Sequence, residues 1–118
     1  MKGAIMPHEI YESCIQACND CATACEHCAS ACLDEKDVQA MTRCIRLDMD
    51  CALICAMASK LMSRGSEEAP AVCGICADVC RRCAEECRKH DDEHCQTCAD
   101  ACERCAEECE KMAGARVA

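Results

Sequence analysis

Cys14, Cys18, Cys21, Cys25, Cys28 and Cys32 follow one another at steps of four, three, four, three and four residues. Cys73, Cys76, Cys80, Cys83 and Cys87 step by three, four, three and four, and Cys95, Cys98, Cys102, Cys105 and Cys109 repeat that pattern. Cys44, Cys51 and Cys55 complete a set of 19 thiols in 118 residues. Residues three or four apart on a helix sit roughly 5–6 Å apart at Cβ, so two such thiolates can clamp one metal ion. Soft thiolates select Cu(I), Zn(II) and iron–sulfur clusters. Zn(II) takes four tetrahedral ligands in a closed site, usually wrapped by a loop. Thiolates from several helices could supply that set, although it does not require an unbroken ladder. Bacterial ferredoxin ladders end in a Cys followed by Pro, and no Cys here precedes a Pro. Cu(I) prefers two or three thiolates, and thiolates bridge readily between Cu(I) ions. If each sulfur bridges two ions and each ion takes two sulfurs, capacity approaches about one Cu(I) per Cys. Each Cu⁺ then offsets one thiolate, which removes the cost of burying many like charges.

These thiols need elements that hold them on one face. Alternating steps of three and four trace the inward seam of a packed helix; a strand needs steps of two, and none occurs. Helices are predicted at about 8–33, 37–63, 67–89 and 92–112. The third and fourth resemble each other as repeats: residues 73–87 and 95–109 are identical at 11 of 15 positions, and residues 18–32 carry the same five cysteines. Pro7 suits a first helical turn. Asp37 is a candidate N-cap, Gly65 ends the second helix and Ser66 caps the third. Arg88 and Lys89 complement the helix dipole at one end of the last turn, and Asp91, Asp92 and Glu93 at the other. Gly114 follows the last helix. Such short connections give an all-α, antiparallel, up-down-up-down four-helix bundle with a cysteine-lined core, a single domain over 1–118.

Composition narrows the function. Leu, Ile and Val number 14 and Phe is absent, so with a net charge of −9 the chain would be disordered unless cysteines fill the core. Cysteine as a mere small hydrophobe does not account for 19 on one set of seams. One Tyr and no Trp leave no base-stacking platform, and 22 acids against 13 bases argue against nucleic acid as a partner. No apolar run is long enough for a membrane span, and no secretory h-region or twin arginine is visible, so the expected compartment is the cytoplasm, where thiols stay reduced. An odd cysteine count also leaves one unpaired in a disulfide scheme, though a disulfide-held helical scaffold is the alternative of a different class. CxxC redox chemistry needs a βαβ context that is missing, and no nucleophile–base pair or phosphate cradle suggests an enzyme.

The second helix differs from the others. Its seam continues through Met41, Asp48, Ala58 and Met62. An acid in an apolar core is costly, so Asp48 is solvated at a bundle end, paired with a base, or close to bound cations. The outer side carries Ile45, Leu47, Met49, Leu53, Ile54, Met57 and Leu61. A helix apolar all round is buried on both sides, which makes this face a subunit interface. His90 and His94 flank the last turn; they either complete a terminal metal site or are exposed polar residues. Met41 lies at that same end, as a soft ligand or as core filler. Met62 reads as core, and His8 and His27 as solvent-facing.

The three ladders, the segment CIRLDMDCALIC and the turn KHDDEHCQTCADAC resemble the bacterial copper storage proteins, and more closely their cytosolic branch. The resemblance spans roughly residues 7–112. It implies a four-helix bundle assembled as a homotetramer that stores many Cu(I) ions on inward thiolates. By matching positions it further implies that His94 and His90 serve the open end, with Asp48 near the outermost ions.

Overall fold

The structure, a computed structural model, describes residues 7–114. The readings of the His8 side chain and of Met1–Ile5 fall outside what it describes. Four long helices are present: α2 (Glu12–Cys32), α3 (Thr42–Ser63), α4 (Ala69–Arg88) and α5 (Glu93–Gly114), preceded by a single turn, α1 (Pro7–Ile10). At 20 to 22 residues each, they are about 30 Å long. The closely packed pairs are α2 with α3, α3 with α4, α4 with α5, and α5 with α2, which closes the ring. Sulfur partners show the directions. Cys14 meets Cys109 and Cys28 meets Cys95, so α2 runs against α5. Cys44 meets Cys87 and Cys55 meets Cys76, so α3 runs against α4.

Two helix starts depart from the predicted bounds, and the departures have local causes. The expected first helix is broken at Tyr11, which leaves helical geometry (φ −95°, ψ 1°) before α2 begins. The expected second helix opens as a tighter 3₁₀ turn, Val38–Met41, whose first residues are held by Asp37 accepting from the Ala40 N–H at 3.3 Å. That turn tucks Met41 inward, to 4% exposure. At the end of α3, Ser66 N–H donates to Leu61 O and Gly65 N–H to Met62 O. This is the Schellman closure, and Gly65 takes the required positive φ of 64°. The Ser66 hydroxyl accepts from Glu68 N–H at 3.1 Å, but this braces the turn and is not the expected cap: α4 begins only at Ala69, with Glu68 as its N-cap.

The core has an unusual composition. All 19 cysteines are buried and unpaired by disulfides. The other buried apolar side chains are alanines with Met41, Met62 and Val79. Ala17, Ala52, Ala77, Ala84, Ala99 and Ala106 flank the seams. Their small size lets the backbones approach, so the thiols of all four helices reach one axis. Charged pairs tie the helices on the outside. Arg81 holds Glu110 through two hydrogen bonds at 2.6 and 2.8 Å, and Arg104 reaches Asp20 at 3.0 Å. Arg88, expected only to complement the α4 dipole, also crosses to Asp100 and Glu103 on α5. Such exposed pairs are screened by water and contribute little, so the interior carries most of the stability.

Candidate metal centre: a thiol tube with one mixed end

Heptad spacing places each cysteine on the inward stripe of its helix, and ring closure brings the stripes together. The sulfurs are then in contact along the axis. From one end, Cys14 lies 3.6 Å from Cys109, Cys109 is 3.9 Å from Cys105, and Cys105 is 3.8 Å from Cys55. Cys55 is 3.9 Å from Cys51, Cys51 is 4.0 Å from Cys102, Cys102 is 3.7 Å from Cys25, and Cys25 is 3.6 Å from Cys98. Each step far exceeds the roughly 2.05 Å of a disulfide; these are packed thiols. Contacts also cross the diagonals, as between Cys21 and Cys80 at 4.0 Å. Quartets such as Cys21, Cys25, Cys51 and Cys102 have all four sulfurs within 4.8 Å of one another.

Packed thiols cannot all ionise, because each thiolate raises its neighbours. Cys80 and Cys102 are pushed well above the ordinary thiol range by their sulfur neighbours, first Cys105 and Cys21 respectively, with burial adding to it. Cys51 and Cys105 are shifted the other way, first by hydrogen bonds from Cys102 and Cys109, so protons are shared unevenly along the stack.

The ladder of sulfurs meets a carboxylate at Asp48, which takes the seam position between Cys44 and Cys51. Asp48 has no solvent exposure. Its Oδ1 accepts from Cys83 at 3.1 Å, Cys98 at 3.4 Å and Cys87 at 3.6 Å, and its Oδ2 from Cys44 at 3.8 Å. Of the three environments the sequence allowed, solvation and pairing with a base are thus replaced by a cage of thiols. Burial, and next the charge of Cys98, raise its pKa from 3.8 to about 8.

Beyond Asp48 lies a second kind of end. His94 Nδ1 lies 3.5 Å from Cys28, 3.6 Å from Cys95 and 4.0 Å from Cys32. These four donors form one group within 4.8 Å. Cys32 is pushed up to about 12 by burial and then by the charge of Cys44, and Cys95 is raised by the same causes. The three thiols are fully enclosed, whereas the His94 side chain is 14% exposed. The imidazole is the member of this group that touches solvent.

The other face of that ring is held by a residue the sequence reading did not identify. Nε2 of His94 lies 2.8 Å from Glu35 Oε2. The carboxylate accepts, so Nε2 carries the proton and the Nδ1 lone pair faces the thiols. Glu35 reaches this position because the chain keeps turning after α2: Leu33, Asp34 and Glu35 N–H bond back to Ser30, Ala31 and Cys32 O. A carboxylate two to four residues past a helix, on the loop facing a candidate His, is the only signal that could have found it.

His90 takes a different place. Its Nε2 bonds Glu86 at 3.1 Å, and Glu86, only 7% exposed, also meets Arg43 at 3.4 Å and Lys89 at 3.3 Å. The structure thus brings His94 to the thiols and ties His90 into a polar clamp on α4. His27 is exposed, as expected. Met41 is buried at the His94 end and Met62, at 0%, at the other.

The comparisons with known proteins agree with this geometry. Residues 7–114 match the family described as copper storage protein. YhjQ of Bacillus subtilis (strain 168), described as an uncharacterized cysteine-rich protein, is 51% identical over 85 residues, which is 72% of this chain and 79% of that protein. The solved structure of Cu(I)-bound copper storage protein BsCsp3 is similar with a TM-score of 0.84 at 50% identity, covering 87% of this chain and 97% of that one. A cytosolic copper storage protein from Streptomyces lividans, solved with five coppers, gives a TM-score of 0.88 at 39% identity, covering 94% and 98%. A cysteine-lined bundle of this sequence and shape belongs to the copper storage protein family.

Proposed function

We propose that this chain is a cytoplasmic, non-enzymatic store for many Cu(I) ions, held on the thiolates of its bundle interior. The observation that carries this is the run of sulfur contacts from Cys14 to Cys98, with every step between 3.6 and 4.0 Å. Neighbouring sulfurs can share ions, so capacity scales with thiols and approaches about one Cu(I) per Cys. Proton exchange makes filling tolerable: each Cu⁺ that enters releases one thiol proton, so the filled interior carries about the same charge as the empty one. All 19 cysteines are assigned as ligands. His94 joins Cys28, Cys32 and Cys95 at the end, and Asp48 faces ions held by Cys83 and Cys98. His90 stands apart from this set, because its ring is committed to Glu86.

The outer face of α3 supports self-association. Met49, Leu53 and Met57, spaced four apart, are 58%, 67% and 44% exposed in the single chain. Such a stripe is an interaction surface, and we assign it to homo-oligomerisation, as a tetramer. No helix of the described residues is long and apolar enough to cross a membrane.

Anaerobic Cu(I) titration of the reduced, metal-free protein tests the storage reading. Binding should continue well past about ten ions per chain. Saturation at about four to six, with Zn(II) bound equally well, would point to a zinc thiolate buffer instead. A thiol count on protein purified without reductant removes the disulfide scaffold if it finds nearly all cysteines free.

A further inference from the structure

No thiol of the tube is open to solvent: every cysteine is 1% exposed or less, and Met41, at the end of the 3₁₀ turn, is 4% exposed. An ion therefore enters or leaves only when part of the protein moves. At the His94 end, two of the four boundaries between neighbouring helices are closed by the chain itself, because α2 runs on into α3 there and α4 into α5. The other two are each bridged by a glutamate. Glu35 bonds His94 between α2 and α5, and Glu86 meets Arg43 between α4 and α3. Among the described residues, Arg43–Glu86 is the only ion pair that joins α3 to α4.

The two bridges differ in what they hold. His94 faces the thiols, and the α2–α5 boundary is braced again further along by Arg104 and Asp20 at 3.0 Å. Parting it would withdraw a donor. Glu86 instead bonds Arg43, Lys89 and His90, at 3.4, 3.3 and 3.1 Å, and no sulfur. Its side chain is 8% exposed, whereas those of Arg43 and Lys89 are 66% and 63% exposed. A nearly buried carboxylate without a partner is costly, but a long exposed cation gains little from any one contact. Lys89 and His90 belong to the same helix end as Glu86. When Arg43 lets go, they keep the carboxylate paired, and α3 is freed from α4. Local opening of this kind is cheap where few bonds cross. Next to Arg43 and Glu86 stand Cys44 and Cys87, whose sulfurs are 3.6 Å apart.

We propose that Glu86 and Arg43 form a latch between α3 and α4, whose opening sets the rate at which ions reach and leave Cys44 and Cys87. Glu86 is a positioning residue and not a ligand: it holds the first turn of α3 against the last turn of α4. The passage of copper rests on the storage reading, whereas the opening itself does not.

Thiol labelling of the reduced, metal-free protein tests the opening without copper. With a maleimide and peptide mapping, Arg43→Gln should speed the labelling of Cys44 and Cys87 about three- to tenfold and leave Cys14 and Cys109, at the far end, unchanged. Glu86→Gln should act alike, and Arg43→Lys, which keeps the charge, should label like the unmodified protein. Arg43→Gln decides the matter if Glu86→Gln does not fold, since Arg43 is largely exposed. In Cu(I) kinetics, Arg43→Gln should raise the rates of uptake and of release to a chelator by the same factor, with capacity and affinity unaltered. The control Arg81→Gln, which breaks the α4–α5 pair with Glu110, should change neither labelling nor rates. Unchanged labelling of Cys44 and Cys87, or an equal rise at Cys14 and Cys109, would overturn the latch. Faster labelling with unaltered Cu(I) rates would overturn its part in ion passage. A protein that stores no Cu(I) would overturn the storage reading and leave the labelling result standing.

Discussion

His94 Nε2 and Glu35 Oε2 lie 2.8 Å apart although 59 residues separate them in the chain. The pair converts a rotatable imidazole into an aimed donor, because one nitrogen is occupied and the other must face Cys28, Cys32 and Cys95. Glu35→Ala should leave the total Cu(I) capacity unchanged and weaken the outermost site about 10- to 100-fold. Competition with a chelator of known Cu(I) affinity, at the first equivalents and at saturation, separates the two effects.

Asp48 gives the copper-free protein a pH dependence of defined sign. Its pKa is raised from 3.8 to about 8 in the folded chain, so the native state binds the proton more tightly than the unfolded one. The group costs nothing below the lower value. Between about pH 4 and pH 8 the unfolded state ionises first and stability falls, then levels off. Asp48→Asn should therefore raise the denaturation midpoint at pH 8 and change it little at pH 4. A stabilisation independent of pH would show that Asp48 ionises within its thiol cage.

Removing copper should leave the helices in place. Thiols pack as small apolar groups, so the interior stays filled when the sulfurs carry protons in place of metal. Circular dichroism before and after exhaustive chelation should show the same helical content, with the loaded form melting at a higher temperature because ligand binds only the folded state.

Met62 is one of three large apolar side chains in the core and has no exposure. Met62→Ala should cost about 2–5 kcal/mol, seen as a lower urea midpoint of the copper-free protein. Cu(I) capacity should not change, since no thiol is lost.

Leu53, the most exposed of the α3 stripe at 67%, should be dispensable for the fold and necessary for assembly. Leu53→Glu is expected to give a smaller particle by light scattering with unaltered helicity.

Much of this was legible in the sequence because the thiols carry both signals at once. Their three-and-four spacing reports helices, and their chemistry reports soft metal, so fold and site come from the same residues. Asp48 was placed by extending the seam from Cys44, but its thiol cage depends on Cys83, Cys87 and Cys98 arriving from two other helices. His90 and His94 look equivalent around the turn. They diverge because His94 lies on the first turn of α5, facing the axis, while His90 closes back on Glu86 one helical turn earlier. Glu35 could not be read, since its reach is set by three successive turns after Cys32 that no residue type announces. The buried clamp of Glu86 with Arg43 and Lys89 escaped notice for a similar reason: a Glu amid a charged run reads as solvated.

The small flanking alanines make the bundle a ruler. Between Met62 at one end and Asp48 and His94 at the other, only small side chains flank the thiols, so each cross-section of that stretch resembles the next. Extending all four helices by one heptad would add about eight inward positions. Capacity in such a design is set by length alone, as beads on a rod, rather than by shaping a new pocket for each ion.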